Sequence, residues 1–180
     1  TKGGAEMIMT VTNIANALYA KDISKKIATA KENQMKQGIP CSMVPYGYRV
    51  EKSAGNDKSM VPDEESAGIV KRIFEEAAAR TSQTAFAEIL NKEVIPTPYQ
   101  YRMRKHPEKL AEKPHLRWNR DNIAAILKNE VYLGRYVSGK DRVCLYRHEK
   151  RHTADKEQWN VFENHHEPLV TEQLFETVNA

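Results

Sequence analysis

From residue 6 to residue 37 the sequence has no proline and no glycine, and Met7, Val11, Ile14 and Leu18 recur at helical spacing. A helix of that length reaches ~45 Å at 1.5 Å per residue, more than a small domain can cover. After Leu18 the apolar positions resume at Ile23, Ile27 and Ala30, a five-residue step that rotates the stripe, while Lys21, Lys25, Lys26, Lys31 and Lys36 accumulate. The first half is suited to burying a stripe against a partner, and the second faces outward. Such a helix projects as an arm, packs on another chain or lies along DNA.

Gly38 ends the helix, with Pro40 just beyond it. The next residues are too short and proline-bound for a helix and form an extended link over residues 38–48. Pro-Tyr-Gly-Tyr at 45–48 is then a turn, and its two tyrosines read as buried anchors rather than base-stacking platforms. Val50 starts a strand that "SAGNDKS" turns back toward Met60 and Val61, making a hairpin. Asp63 caps a helix with Glu64 and Glu65 in its first turn, Arg80 at its basic end, and Val70, Ile73, Phe74 and Ala77 on its buried face. Thr81 or Ser82 caps a second helix built on Phe86, Ile89 and Leu90, which the prolines of "VIPTP" close. A third starts at Trp118 and Asn119 and buries Ile123, Ile126 and Leu127. Some twenty residues separate the last two, far beyond the turn of ~3–4 residues in an ordinary helix-turn-helix, so the match is loose and a plain helical core with a long surface loop reads as well.

Downstream, "VYLGRYVSGKDRVCLYRHEKRH" alternates as a hairpin or wing, with Tyr132, Tyr136 and Val137 before a Ser-Gly turn and Val143, Leu145 and Tyr146 after it. A capped helix "TEQLFETVNA" closes the chain, and Trp159, Phe162, Leu169, Leu174 and Phe175 read as core. The fold class is α+β: a long projecting N-terminal helix, then a small mixed domain with helix-turn-helix-like helices and β-hairpins.

The net charge of +4 conceals an asymmetry. Residues 99–156 hold 15 Lys+Arg against 7 Asp+Glu, whereas the rest holds 13 against 17. Such a one-sided excess interleaved with tyrosine and tryptophan favours a phosphate-rich partner over a merely solvated face. Lys25, Lys26, Lys31, Arg102, Arg104 and Arg117 are the candidate phosphate contacts, and Lys105, Lys128, Arg135, Lys140, Arg142 and Arg147 are further candidate DNA-binding residues. Arg120 and Asn122, in the first turn of the third helix, are the candidates for base edges, since arginine pairs with guanine and asparagine with adenine.

Other chemistry finds no support. Cys41 and Cys144 belong to no CxxC pair, so neither a disulfide framework nor a zinc ribbon is written here. His148 and His152 have ligand spacing without enough partners, and His165-His166 reads as a surface or capping pair. Glycine-rich phosphate loops, HExxH and GxSxG are missing, and Ser24 sits among lysines with no base in local reach. We therefore expect no cofactor, no metal and no catalytic residue in this stretch. No apolar run approaches the ~20 residues of a membrane span, and the N-terminal residues lack a signal-peptide pattern, pointing to the cytoplasm.

The series "YAKDISKKI", "PYGY", "PDEESAGIVKRIFEEA", "FAEILNKEVIPTP", "WNRDNIAAILKNEVYLGRY" and "HEPLVTEQLFETV" resembles, in order and over most of the chain, the recombinase domain of the large serine recombinases, the integrases and transposases of mobile elements. The resemblance implies three parts: the end of a catalytic domain with its connecting helix over 1–37, a linker over 38–48, and a DNA-binding recombinase domain over 49–180. It implies a double-stranded DNA partner, self-association through the long helix, and a bacterial, nucleoid-associated location. The link "QGIPCSMVP" resembles the arm that small resolvases lay in the minor groove. By the same resemblance, the serine that attacks the phosphodiester and the zinc cysteines lie outside these residues, so this stretch positions DNA and is inactive alone. Two other readings stay open. One is a winged-helix regulator, which the break in the helix stripe disfavours, and the other is a scaffold for an acidic protein.

Overall fold

A computed structural model describes residues 2–40, 43–52, 58–142 and 152–180. The helices are α1 Lys2–Lys36, α2 Ala67–Ala78, α3 Gln83–Lys92, α4 Pro98–Arg102, α5 Pro107–Ala111, α6 Arg120–Leu127 and α7 Glu172–Asn179. The strands are β1 Tyr48–Lys52, β2 Lys58–Pro62, β3 Tyr136–Ser138, β4 Asp141–Arg142, β5 His152–Thr153 and β6 Asn160–Phe162. They form two-stranded sheets, β1 with β2, β3 with β6 and β4 with β5. The class is α+β, as the sequence indicates. The chain divides into two compact units, one of residues 1–41 and 137–161, the other of residues 42–136 and 162–180.

In the first unit, every residue of α1 from 7 to 33 is exposed, and Leu18 in the middle of the apolar stripe is 62% accessible. The helix ends as its glycine requires. Gly38 takes φ 73°, its N–H donates to Met35 O at 3.3 Å, and the Ile39 N–H donates to Gln34 O at 2.9 Å. The Ser138 hydroxyl donates to Met35 O at 3.0 Å. Among the described residues Tyr136–Ser138 pairs with Asn160–Phe162, and the second strand expected for the hairpin, with Val143, Leu145 and Tyr146, falls outside them. Asp141 pairs with Thr153 and Arg142 with His152. Val143, Leu145, Tyr146 and His148 lie outside the described residues, as do Cys41 and Cys144.

The second unit holds the core. Val70, Ile73 and Phe74 of α2, Phe86 and Leu90 of α3, Ile123, Ile126 and Leu127 of α6, and Tyr132, Leu169 and Val170 are buried together. Truncating one of the two phenylalanines to alanine costs ~3–5 kcal/mol by the usual cavity term. Leu174 and Phe175 of α7 pack on this cluster half-buried.

The turn at 45–48 is anchored by its aromatics. Tyr48 is buried and its hydroxyl donates to Glu167 O at 2.9 Å, while the Tyr132 hydroxyl donates to Tyr46 O at 2.8 Å. Between the two tyrosines, Gly47 adopts φ +95°, where a Cβ would come within 2.8 Å of Val70 Cγ2 and 2.9 Å of Leu169 Cδ1. The first strand starts at Tyr48 rather than Val50, because the turn is that tight.

The first helix of this unit begins later than expected. Ser66, not Asp63, is the residue preceding α2. The Asp63 carboxylate instead accepts from the N–H groups of Glu65 at 3.1 Å and Ser66 at 3.2 Å, closing a separate turn ahead of the helix. Ser82 caps α3 as expected, its oxygen accepting from Ala85 N–H at 3.1 Å.

Candidate nucleic-acid interface

Residues 99–117, expected as an irregular charged segment, carry ordered structure. Thr97 and Gln100 form a reciprocal capping box, with Pro98 at the first helical position, and this starts α4. Pro107 likewise stands at the start of α5, but His106 before it makes no side-chain cap. The signal was present as Thr-Pro-x-Gln, but the two prolines read more strongly as a helix stop.

This excursion is tied down at several points. Asn91 bonds Trp118 with both ends of its amide, Nδ2 donating to Trp118 O and Oδ1 accepting from Trp118 N–H, each at 2.9 Å. The indole N–H of Trp118 donates to Ile95 O at 2.9 Å, and Gln100 Nε2 donates to Leu116 O at 3.3 Å. The Tyr101 hydroxyl lies 2.8 Å from Asp63 Oδ1 and 2.9 Å from Glu65 Oε2. Burial and these two carboxylates push the Tyr101 hydroxyl well above the ordinary tyrosine range, so it remains a donor. For Asp63, burial alone would raise the carboxyl; the Tyr101 hydroxyl and the Ser66 and Glu65 N–H groups outweigh it and hold the carboxyl below its usual range.

The cations fall into groups that the sequence could not separate. Lys26 pairs with Asp22 at 2.8 Å, and Arg135 with Glu163 at 2.7 Å and Glu130 at 3.7 Å. Their charge is partly spent at home. By contrast, Arg102, Arg104, Lys105, Lys109, Lys113 and Arg117 are exposed, and none forms an ion pair among the described residues. Several stand over rings instead. Arg104 lies 4.0 Å from the Tyr101 centroid, and Arg102 and Lys113 lie 5.4 and 4.7 Å from the centroid of Tyr99. A ring holds a cation without neutralising it.

Arg120 and Lys128 are exposed at the two ends of α6, and Lys25 and Lys31 are exposed on α1. Lys140, in the other unit, sits 5.2 Å from the Trp159 ring. Asn122 is occupied: its Oδ1 accepts from Asn119 N–H at 3.3 Å while Asn119 Oδ1 accepts from Asn122 N–H at 2.9 Å. Bidentate recognition of adenine uses both ends of an asparagine amide, so reading a base with Asn122 would open this cap. Arg142 is described by its backbone alone, and Arg147 lies outside the described residues.

The histidine pair, expected at the surface or in a cap, is half-buried against aromatic and backbone groups. His166 Nε2 contacts Val131 O at 2.7 Å, its ring meets Tyr48 edge-on, and His165 stacks on Tyr136. Among the described residues no group of three or more His, Cys, Asp or Glu is arranged to hold a metal, and no helix is long and apolar enough to cross a membrane.

The profile of the Recombinase family matches residues 64–180. The chain belongs to the recombinase family. The resemblance carried by the six sequence segments thus holds. Among solved structures, the fold of this recombinase chain is similar to that in a crystal structure of an LSR–DNA complex, LSR standing for large serine recombinase, with a TM-score of 0.50 and 17% identity. The similarity covers 86% of this chain and 36% of that one, so the present chain spans about a third of the length of its structural neighbour.

Proposed function

We propose that this chain is the DNA-binding part of a large serine site-specific recombinase. It positions the ends of a mobile element while a serine nucleophile elsewhere in the parent protein cuts and rejoins the strands. The parts are the connecting helix over 1–37, the linker over 38–48 and the recombinase domain over 49–180. The observation that carries this reading is the ordered excursion at 99–117, with six cations against two carboxylates and no ion pair to those cations among the described residues. Each phosphate these cations neutralise steepens the salt dependence of binding by ~0.9 in the logarithmic slope. The exposed stripe of α1 supports self-association through that helix. Location in the bacterial cytoplasm at the nucleoid follows from the same reading.

The test is a titration of the chain against duplex DNA at ~50 and ~200 mM salt, with the element's own end sequences and a scrambled control. A steep loss of affinity with salt, together with preference for the ends, is the expected result. Absence of binding at the lower salt would overturn the DNA role and leave the scaffold for an acidic protein in first place.

A further inference from the structure

Tyr99 carries two cations on one ring. Arg102 is its i+3 neighbour on α4, whereas Lys113 comes from beyond α5, so the ring gathers charges from two parts of the excursion. Both distances fall inside the ~6 Å range of a cation–π contact. The two charges are then at most about 10 Å apart, close enough to meet neighbouring phosphates of one strand.

Three observations argue that this arrangement serves a polyanion rather than the fold. Arg102 and Lys113 are exposed and have no carboxylate partner among the described residues, so the contact leaves their charge uncompensated. The excursion that presents them is closed at its base by the Asn91–Trp118 bonds, braced within itself by Gln100–Leu116 and tied to the preceding turn by Tyr101 at Asp63, so the ring is a stationary platform. Free lysine and arginine side chains lose rotamer entropy when fixed, and a ring that has already narrowed their rotamers lowers that cost at the moment of binding.

We propose that Tyr99 is a positioning residue for DNA, its ring holding Arg102 and Lys113 side by side as a clamp on adjacent phosphates of one strand. The inference rests on the DNA-binding reading above. Tyr99 acts through the two cations, and its hydroxyl has no part in the clamp.

The experiment is a mutant cycle read by DNA titration at several salt concentrations, with thermal unfolding as a check on folding. Arg102→Gln with Lys113→Gln flattens the salt slope by ~1.8, two phosphates at ~0.9 each. Tyr99→Leu weakens binding by ~3–10-fold at low salt, and Tyr99→Phe, which keeps the ring, binds as wild type. Adding Tyr99→Leu to the Arg102→Gln, Lys113→Gln background changes affinity by less than ~1.5-fold, because the ring has nothing left to hold. If wild type does not bind DNA, the functional reading fails and the clamp with it. If wild type binds but Tyr99→Leu is neutral, or is additive with loss of the two cations, or Tyr99→Phe is as weak as Tyr99→Leu, the clamp alone is overturned. The charge-removing pair lies at exposed positions, so it reports on the clamp even if Tyr99→Leu loosens the fold.

Discussion

Asn91 and Trp118, 27 residues apart, are joined as two paired strands would be, with one amide group both donating to and accepting from the tryptophan backbone at 2.9 Å. This bond closes the base of the basic excursion. Asn91→Ala leaves the part-buried Trp118 N–H and C=O without those partners and costs ~1–3 kcal/mol, less than two fully buried unsatisfied groups would. Chemical denaturation measures the loss. Limited proteolysis reports the same event as faster cleavage within 99–117.

Gly47→Ala tests the anchored turn. The added methyl meets Val70 and Leu169 at under 3 Å and must also adopt φ +95°. Overpacking and left-handed strain together predict a loss of ~2–4 kcal/mol. A change in unfolding free energy below ~1 kcal/mol would mean that the turn relaxes freely, contrary to this account.

Two helices end with ordinary residues where glycine is usual. Arg80 after α2 has φ 65° and Val94 after α3 has φ 58°, each followed by the bonding pattern of a left-handed helix stop. Val94 is 83% exposed, so its side chain contributes no packing to offset the strain. Val94→Gly therefore stabilises the protein by ~0.5–1 kcal/mol and Arg80→Gly by a smaller margin, visible as a rise in Tm.

His166 gives stability a pH dependence. The carbonyl of Val131 only accepts, so Nε2 carries the hydrogen, and neutral His166 presents a bare Nδ1 to His165 Nδ1 at 3.1 Å. Protonation would put a second hydrogen into that gap. Burial, chiefly, and the neighbouring His165 hold the His166 pKa below its ordinary value of 6.5, against the bond to Val131. Because the unfolded chain binds the proton more readily, this contribution is complete above the unfolded pKa and is lost as pH falls through it. The expected outcome is a Tm that drops between pH 7.5 and 5.5, with a shallower drop in His166→Gln. Equal slopes in the two proteins would assign the acid sensitivity elsewhere.

The ion-paired and unpaired cations should separate in DNA binding. Arg104→Gln and Arg117→Gln each flatten the salt slope by ~0.9, whereas Arg135→Gln, whose charge faces Glu163 and Glu130, leaves it within error. A slope for Arg135→Gln as flat as for Arg104→Gln would move the interface toward the 130–135 turn.

Much of this fold was legible because periodicity and caps agreed with tertiary packing. Ile73 and Phe74, Phe86 and Leu90, and Ile123, Ile126 and Leu127 are core residues both by spacing and by burial. The failures have physical causes. Asp63 looks like a helix cap because a cap and a short side-chain turn use the same carboxylate, which here also accepts from the distant Tyr101 hydroxyl. The pairing of 136–138 with 160–162 is not foreseeable from the sequence, because pairing is a nonlocal choice that alternation does not encode. The basic residues were found by charge alone; the i,i+3 and i,i+4 partners of Arg102, Arg104 and Lys26 lie within a local window, whereas Arg135 at Glu163, Lys113 at Tyr99 and Lys140 at Trp159 are brought together by chain reversals that no such window contains.

The bonds around Tyr46 and Tyr48 set an order of events during synthesis. The turn at residues 45–48 leaves the ribosome early, yet it is secured by Tyr132 and by the carbonyl of Glu167, the latter 119 residues downstream of Tyr48. Until that late segment has emerged, Tyr48 lacks its acceptor and Gly47 lacks the Leu169 wall beside it. Long-range closure of this kind is slow compared with forming the α1 helix. A nascent chain therefore forms the α1 helix well before the turn at 45–48 can close around its distant partners.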